Sequence, residues 1–247
     1  MKKIGHTGTL DPEAEGVLPV CIGKGTKLCD MLADKTKEYR AVLLLGRETD
    51  TQDATGRTVA ERPVEWQSME KNLPAAGSAG IPGGMEEGIR RVIVSFKGPY
   101  MQVPPMYSAL KVNGRKLYEL ARAGKEIERL PRPVEILEIE VEKISLPRVE
   151  VRVVCSKGTY IRTLCHDIGQ RLGCGGCMES LLRTRVGHFM LADSLRLEEI
   201  EGLKASGRIR EYVQPVDKVF AGLPKLVMAA GKEGDKLVHN GNPFLPG

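Results

Sequence analysis

The chain has 247 residues, of which 41% are hydrophobic and 28% are charged, and its formal net charge is +5. This length allows one full-sized domain plus a small second one, and the composition is that of a soluble globular protein. No apolar run approaches the roughly 18 residues of a membrane-spanning helix, and no secretory signal follows the first methionine. We therefore expect a cytoplasmic protein whose mild positive charge suits a polyanionic partner without requiring one.

The first half of the chain predicts short strands. The apolar run from Gly16 to Cys21 predicts a strand that leads through a turn into a helix. Two β-rich runs predict strands over 39–45 and 91–96, the first closing at Gly46 and the second at Gly98. The stretch 72–85, rich in Ala, Gly and Pro, is expected to be a loop or linker.

The second half predicts a hairpin followed by a helix. Aliphatic residues alternate with glutamates over 137–142, and valines alternate with charged residues over 149–153, with a break at Leu146-Pro147. This pattern is typical of a β-hairpin with one solvent-exposed face. From Thr159 the period becomes helical, and Gly173 begins the turn that ends this helix. Mixed strands and helices without a regular βαβ repeat favour an α+β domain.

The cysteines are expected to be reduced thiols, because no export signal accompanies them. Among the six, only Cys174 and Cys177 have metal-ligand spacing. A zinc site would need a second such pair. We therefore predict no metal and interpret this segment as a glycine turn flanked by buried thiols.

Two segments carry candidate chemistry. Gly5-His6-Thr7-Gly8-Thr9-Leu10-Asp11-Pro12 combines glycines, hydroxyls, a histidine and a carboxylate in a loop able to hold polar side chains toward a ligand. From these residues alone, a turn with a capping Asp11 is the favoured interpretation. Between Lys111 and Arg132, seven basic residues accompany three acidic ones, which suits contact with phosphates. A solvated amphipathic helix would explain Lys116 and Arg122 equally well.

The loop around Asp11, followed by Gly16-Val17-Leu18-Pro19, resembles the catalytic loop of the TruB family of pseudouridine synthases, which isomerise a uridine in the T arm of tRNA. Further segments match this family in the same order along the chain. They are Lys37-Glu38-Tyr39, the run from Thr49 to Gly56, the run from Gln102 to Lys111 and the run from Cys155 to Leu164. The resemblance covers residues 3–187.

The resemblance implies an α+β pseudouridine-synthase catalytic domain over 1–192, with a mixed, largely antiparallel central sheet flanked by helices. A thumb is expected at about 102–124, and a small PUA-like RNA-binding region over 193–247. The family also has a segment ahead of the catalytic loop that this sequence lacks as written. The catalytic domain is therefore expected to be N-terminally truncated.

The resemblance also implies a reaction, the conversion of uridine 55 of tRNA to pseudouridine without a cofactor. Asp11 would be the nucleophile, because an aspartate can form and release a covalent adduct with the nucleoside. Arg162 would pair with this carboxylate and favour its ionised form. Tyr39 would stack on the target base and take part in proton transfer at carbon 5.

The remaining site residues implied by the resemblance would bind the substrate. His6 would take the place of the flipped base in the RNA loop, Asp53 would lie near the flipped nucleotides, and Leu181 would line an apolar pocket. Basic residues of the thumb would contact phosphates without reading the sequence. These are Lys111, Arg115, Lys116 and Arg122.

The expected partner is the T arm of tRNA, and the enzyme is expected to be a monomer. One alternative belongs to a different class: a tRNA-binding or tRNA-folding protein with impaired catalysis, which the missing N-terminal segment favours. Another is a nucleoside or glycoside hydrolase that uses Asp11 with a second carboxylate.

Overall fold

The computed structural model describes residues 3–65, 69, 84–112, 114–222 and 224. The chain divides into two compact units, Met1–Ser194 and Leu195–Gly247. Within the described ranges, no helix has the length and apolar character needed to cross a membrane.

The first unit has an α+β fold, as predicted. Its strands are β1 (Ile4–His6), β2 (Ala14–Gly16), β3 (Val20–Ile22), β4 (Lys37–Leu45), β5 (Arg47–Thr49), β6 (Thr58–Glu61), β7 (Gly98–Gln102), β8 (Lys111–Val112), β9 (Arg115–Lys116), β10 (Arg132–Ser145), β11 (Arg148–Cys155), β12 (Gly176–Val186) and β13 (Phe189–Met190). Its helices are α1 (Cys29–Ala33), α2 (Gly84–Val94), α3 (Leu117–Arg122) and α4 (Ile161–Leu172), with 3-10 turns at Gly23–Leu28 and Leu191–Asp193.

A mixed, largely antiparallel sheet forms the centre of this unit. Its strand order is β13-β12-β4-β11-β10-β7, and every neighbouring pair is antiparallel. The short strand β2 is the exception, since it pairs with β12 in parallel, with Ala14 opposite Leu181. The chain that follows Asp11 is thereby attached directly to the central sheet.

One face of the sheet carries the hydrophobic core. Along β4, alternate side chains are buried, namely Tyr39, Ala41, Leu43 and Leu45. This alternation follows from the period of a strand, in which every second side chain points to the same face. Helices α2 and α4 contact this sheet and each other, and their apolar residues belong to the same buried cluster.

The opposite face of the sheet is charged and open to solvent. Arg152 on β11 lies within ion-pair distance of Glu38, Glu138 and Glu140 on the two neighbouring strands. The glutamates that alternate with aliphatic residues along β10 therefore occupy the solvent-exposed face. The predicted β10–β11 hairpin with one wet face is confirmed.

Helix α4 matches its prediction, because its apolar residues at helical spacing are all buried. It ends at Gly173, whose φ of +83° is a left-handed conformation that glycine adopts without strain. Gly169 lies where the helix meets the start of β12, and a Cβ added there would overlap the backbone of Gly175 and Gly176. Close packing at this glycine therefore sets the distance between α4 and the sheet.

Two predicted strands differ from the structure. The strand predicted over 91–96 is wrong, because α2 extends to Val94 and buries Ile89, Val92 and Ile93 on one face. The helical spacing of these residues outweighs their β-branched character. The strand predicted over 16–21 is divided into β2 and β3, separated by Pro19, which lacks the N–H that a continuous strand needs. Of the loop predicted over 72–85, only its last two residues are described, and they begin α2.

The segment predicted as a thumb forms a small substructure with its own core. It contains the β8–β9 ribbon and α3, whose residues Leu117 and Leu120 are buried together with Met106. Backbone hydrogen bonds from Leu117 and Tyr118 to Leu110 and Ser108 close this substructure. Its shape is therefore maintained independently of the main core.

The described part of the second unit is helical. It contains α5 (Leu197–Ala205), a 3-10 turn at Ile209–Tyr212 and α6 (Val216–Val219). The polar helix expected after Leu195 is α5, which begins after Arg196, where the backbone N–H donates to Glu199. The β-like pieces predicted toward Gly247 fall mostly outside the described residues.

The close packing of Gly169 generates a stability prediction. Gly169→Ala should lower the free energy of unfolding by about 1–3 kcal/mol, because the new methyl group forces α4 away from β12. Gly202→Ala in α5 is the matched control, since a Cβ there meets nothing within 4 Å. The control should cause no loss of stability. Urea unfolding of both variants, followed by circular dichroism, measures the difference, and equal stability of the two would contradict the packing argument.

Candidate active site

Asp11 lies in the loop between β1 and β2 with its side chain partly open to solvent. The turn is closed by a hydrogen bond of 2.9 Å from the backbone N–H of Ala14 to the carbonyl oxygen of Asp11. The Asp11 side chain retains 36% exposure. A ligand can therefore reach this carboxylate from solvent.

The guanidinium group of Arg162 holds the Asp11 carboxylate from the protein side. Arg162 lies in the first turn of α4, and its side chain is only 5% exposed. Its Nε is 2.8 Å from Oδ2 of Asp11, and its Nη2 donates a hydrogen bond of 3.0 Å to Oδ1. Both carboxylate oxygens thus face the same guanidinium group, a geometry that fixes orientation as well as charge.

Three further groups surround the same arginine. Nη2 donates to the carbonyl oxygen of Tyr107 at 2.8 Å, and Nη1 donates to that of Thr51 at 3.2 Å. Nη1 also lies 3.5 Å from Oδ2 of Asp53. Arg162 therefore joins the Asp11 loop, the turn after β5 and the start of the thumb.

Asp53 combines a role in its turn with a contact in the site. Its Oδ1 accepts hydrogen bonds from the hydroxyl groups of Thr51 and Thr55 and from the backbone N–H of Thr55. These bonds hold the side chain so that Oδ2 is free to face Arg162. The turn orients Asp53 toward the candidate site.

Tyr39 and Leu181 lie on two neighbouring strands of the sheet. Tyr39 on β4 is directly opposite Arg183 on β12, and Leu181 is opposite Ala41 in the same ladder. Both Tyr39 and Leu181 are buried. Burial raises the pKa of Tyr39 to about 12, and the charges of Cys155 and Asp11 act in the same direction, against the opposing effect of Arg183. The phenol therefore keeps its proton at neutral pH.

The other predicted binding residues lie outside this cluster. His6 is exposed on the β1–β3 ribbon, where its Nδ1 accepts a hydrogen bond of 3.3 Å from the N–H of Gly8. The basic residues Lys111, Arg115, Lys116 and Arg122 all lie on the thumb. Lys116 and Arg122 each approach the ring of one tyrosine, Tyr118, at 5.3 Å from its centroid. These cation–π contacts restrain two cations on the thumb surface.

Gln102 is a site residue that the sequence analysis did not single out. Its side chain is 1% exposed and makes two hydrogen bonds to the backbone of Tyr160, which immediately precedes α4. Nε2 donates to the carbonyl oxygen at 3.0 Å, and Oε1 accepts from the N–H at 2.8 Å. Gln102 thus fixes the backbone from which Arg162 extends. The sequence signal for Gln102 was its place at the start of the run from Gln102 to Lys111, which matches the family.

Tyr100, two residues earlier on β7, makes a second connection to α4. Its hydroxyl group donates a hydrogen bond to Asp167. Burial raises the pKa of Asp167 above its usual value, and it also raises the pKa of Tyr100. Because strand side chains alternate, Tyr100 and Gln102 point to the same side of β7. Strand β7 therefore holds α4 at two points.

Cys174 and Cys177 flank a glycine turn, and the prediction that both thiols are buried is confirmed. Cys174 and Cys177 are both buried and unpaired by disulfides, and burial raises the pKa of each thiol. Across the described ranges, no cluster of three or more His, Cys, Asp or Glu residues has a geometry that would hold a metal ion.

Comparison with known families accounts for this arrangement. The chain matches the model of the TruB family pseudouridylate synthase N-terminal domain over residues 1–161. It matches the tRNA pseudouridylate synthase B C-terminal domain over residues 162–221. The fold is therefore that of a pseudouridylate synthase. Within that class, the chain belongs to the TruB family.

Individual relatives agree with this assignment. A tRNA pseudouridine synthase B from Lachnoclostridium phytofermentans is 49% identical over 252 residues, which cover 99% of this chain and 76% of the relative. Another, from Bacillus velezensis, is 42% identical over 248 residues, covering 98% of this chain and 74% of the relative. The resemblance seen in the motifs thus extends along nearly the whole chain.

Solved structures show the same fold. A chain in a Cbf5–Nop10–Gar1 complex matches with a TM-score of 0.61 and 30% identity over 87% of this chain and 52% of that chain. A chain in an H/ACA RNP bound to a substrate RNA containing 2′-deoxyuridine matches with a TM-score of 0.58 and 28% identity, over 87% and 51% of the two chains. This chain spans about half the length of these solved chains.

The hydrogen bonds of Gln102 generate a second prediction. Gln102→Leu should destabilise the protein by roughly 1–3 kcal/mol for each backbone group of Tyr160 that loses its partner. Gln170→Leu on the exposed side of α4 is the control and should stay within about 0.5 kcal/mol of the unsubstituted chain. Urea unfolding measures both, and an unchanged midpoint for Gln102→Leu would show that these bonds contribute nothing net.

Proposed function

We propose that this chain converts uridine 55 in the T arm of tRNA to pseudouridine, with Asp11 as the nucleophile. The observation that carries the proposal is the Asp11–Arg162 pair, formed between residues 151 positions apart. A buried guanidinium holds both oxygens of a carboxylate that remains open to solvent. Membership of the TruB family and the names of its relatives support the same reaction.

The chemistry requires a nucleophile that can also leave. The glycosidic bond to N1 of the uracil breaks, the base turns, and a carbon–carbon bond forms at C5 while the C5 proton is lost and N1 gains one. A carboxylate is able to bond to the detached nucleoside and to be released again. Because Arg162 holds the carboxylate on one side, Asp11 presents its exposed side to the substrate. No change of oxidation state occurs, so the reaction requires no redox cofactor.

Tyr39 and Leu181 supply the walls of the site in this proposal. The buried ring of Tyr39 provides a flat surface on which the target uracil stacks, next to the apolar side chain of Leu181. Its pKa of about 12 means that the hydroxyl group enters the reaction as a neutral phenol. Any role of Tyr39 in removing the C5 proton therefore begins from a hydrogen-bonding hydroxyl group that accepts or relays a proton.

The thumb and His6 are proposed to hold the RNA. The exposed cations of the thumb are positioned for phosphate contacts, which contribute affinity without sequence preference. His6 is exposed near the Asp11 loop and is available to fill the space left by the extruded base. Extrusion costs a few kcal/mol, which contacts in the pocket must offset.

The two units are proposed to have different functions, catalysis in the first and RNA binding in the second. Residues 1–192 form the catalytic domain, which includes the thumb at 102–124, and residues 193–247 form a small RNA-binding region. This division is supported by the presence of Asp11, Arg162 and Tyr39 in the first unit. The match to a tRNA pseudouridylate synthase B C-terminal domain over residues 162–221 begins in the first unit and extends into the second.

Replacement of the nucleophile tests the reaction. Asp11→Asn should lower pseudouridine formation by roughly 10³-fold or more, because the amide is not a nucleophile of comparable strength. The Kd for tRNA should change little, since the shape of the side chain is kept. Tritium release from transcribed tRNA labelled at C5 of uridine measures the rate, and filter binding measures Kd. Asp30→Asn, on the exposed side of α1, is the control and should retain full activity.

The same assay separates the alternatives. A transcript with cytidine at position 55 should give no product, and product from it would refute the assignment of the target position. Free uracil detected by chromatography would indicate a hydrolase. Binding of tRNA with no turnover in the unsubstituted chain would favour a tRNA-binding or tRNA-folding protein. Full activity of Asp11→Asn would refute Asp11 as the nucleophile.

The thumb generates a prediction about salt. Arg122→Gln should weaken tRNA binding and reduce the slope of log Kd against log salt by about 1, because one phosphate contact is lost. Lys143→Gln is the matched control, since Lys143 lies on β10 and pairs with Glu150 at 3.7 Å. Filter binding over a range of salt concentrations distinguishes the two variants. Equal slopes would place the phosphate contacts elsewhere.

A further inference from the structure

A second buried arginine lies beside the candidate site and is not used by the proposed chemistry. Arg183 on β12 is only 2% exposed. In the described part of the chain, no carboxylate lies within ion-pair distance of it. A buried charge is costly unless other groups satisfy it. Arg183 is satisfied instead by hydrogen bonds to backbone carbonyl oxygens.

The guanidinium group of Arg183 joins the two sides of the Asp11 loop. Its Nε donates a hydrogen bond of 2.7 Å to the carbonyl oxygen of Val17. Its Nη2 donates one of 3.2 Å to the carbonyl oxygen of Gly8. Gly8 precedes Asp11 in the chain and Val17 follows it. One planar group thus fixes the separation of the two segments that carry the carboxylate between them.

The backbone of Arg183 holds the same loop at closer range. The N–H of Val17 donates to the carbonyl oxygen of Arg183 at 2.8 Å. Gly16 packs so tightly against this backbone that a Cβ there would overlap it. The segment after Asp11 is therefore attached to β12 by its backbone. The segment before Asp11 reaches β12 through the hydrogen bond from the Arg183 side chain to Gly8.

Arg183 is also the cross-strand neighbour of Tyr39. The two residues are directly opposite in the antiparallel β4–β12 ladder, so their side chains lie on the same face of the sheet. The positive charge of Arg183 opposes the rise in the pKa of the Tyr39 hydroxyl group. Arg183 thus binds the loop of the proposed nucleophile and lies on the same sheet face as the tyrosine beneath the proposed base site.

We propose that Arg183 is a positioning residue, which fixes the Asp11 loop against the two strands that carry Tyr39 and Arg183 itself. This inference rests on the proposed function, in which Asp11 is the nucleophile. The two buried arginines then have separate tasks. Arg162 orients the carboxylate itself, whereas Arg183 orients the backbone that carries it.

The conservative substitution Arg183→Lys is the main test. An ammonium group keeps the charge but lacks the planar fork that reaches two carbonyl oxygens at once. The kcat for tritium release should fall by roughly 10- to 100-fold, because small misplacements of reacting groups carry costs of this size. The KM and the Kd for tRNA should stay within about threefold of the unsubstituted chain. The side-chain hydrogen bonds of Arg183 within the described residues go to Val17 and Gly8, and binding affinity is proposed to arise at the thumb.

A matched control lies two positions further along the same strand. Arg185 contacts Glu38 and the carbonyl oxygen of Gly187, and its side chain is 27% exposed. Arg185→Lys should leave kcat, KM and Kd unchanged. Arg183→Gln, which also removes the charge, should lower kcat at least as far as Arg183→Lys.

Single-turnover kinetics distinguish positioning from a structural role. With enzyme in excess over tRNA, the single-turnover rate constant reports the active-site geometry of the folded molecules. With tRNA in excess, the concentration of active sites reports the fraction of enzyme that is folded. A lower rate constant with normal active-site concentration supports the proposal. An unchanged rate constant with fewer active sites overturns it, as does failure of both Arg183 variants to fold.

The unsubstituted chain and Asp11→Asn are measured in parallel. An inactive unsubstituted chain, or an active Asp11→Asn variant, refutes the proposed function. An active unsubstituted chain together with a normal Arg183→Lys variant refutes only the role of Arg183.

Discussion

The buried guanidinium group of Arg162 is the constraint on which the rest of the site depends. A charge with 5% exposure must be surrounded by polar partners, and the chain supplies them from separate segments. Asp11 comes from the first loop, Asp53 and the carbonyl oxygen of Thr51 from the turn after β5, and the carbonyl oxygen of Tyr107 from the base of the thumb. The need to satisfy one arginine thus brings together the loop of the proposed nucleophile, a neighbouring turn and the element proposed to bind RNA. The geometry of the proposed site and the packing of these segments therefore depend on the same guanidinium group.

The central sheet gives this constraint a rigid base. Strands β4 and β12 are neighbours, so Tyr39, Leu181 and Arg183 come to one face in a fixed register. The parallel pairing of β2 with β12 attaches the loop of Asp11 to that base. Helix α4 is held by Tyr100 and Gln102 of β7, which bond to Asp167 and to the backbone of Tyr160. Tyr39, Leu181 and Arg183 are buried on the face that also contains the core, whereas the opposite face is charged and exposed.

The regular elements were accessible from the sequence where the hydrophobic period was long and clear. Strand β4, the β10–β11 hairpin and helix α4 each display the period of their structure over several residues, and each was predicted correctly. The strand predicted over 91–96 is wrong because the β-branched residues there continue a helix that begins at Gly84. Their β propensity alone does not reveal the helical period of the whole segment. The break at Pro19 was missed because a continuous apolar run hides the change of strand.

The motifs in the chain were sufficient to identify the family, and with it Asp11 as the candidate nucleophile, because those residues are contiguous and ordered. Burial and contact are different, since they depend on segments far apart in the chain. In isolation Arg162 is an ordinary helical arginine, and Arg183 and Gln102 carry no pattern that marks them as buried. Their partners are backbone carbonyl and amide groups. Because these groups occur in nearly every residue, the amino-acid sequence does not show which of them will accept or donate a hydrogen bond. Folding alone brings those groups within hydrogen-bonding distance.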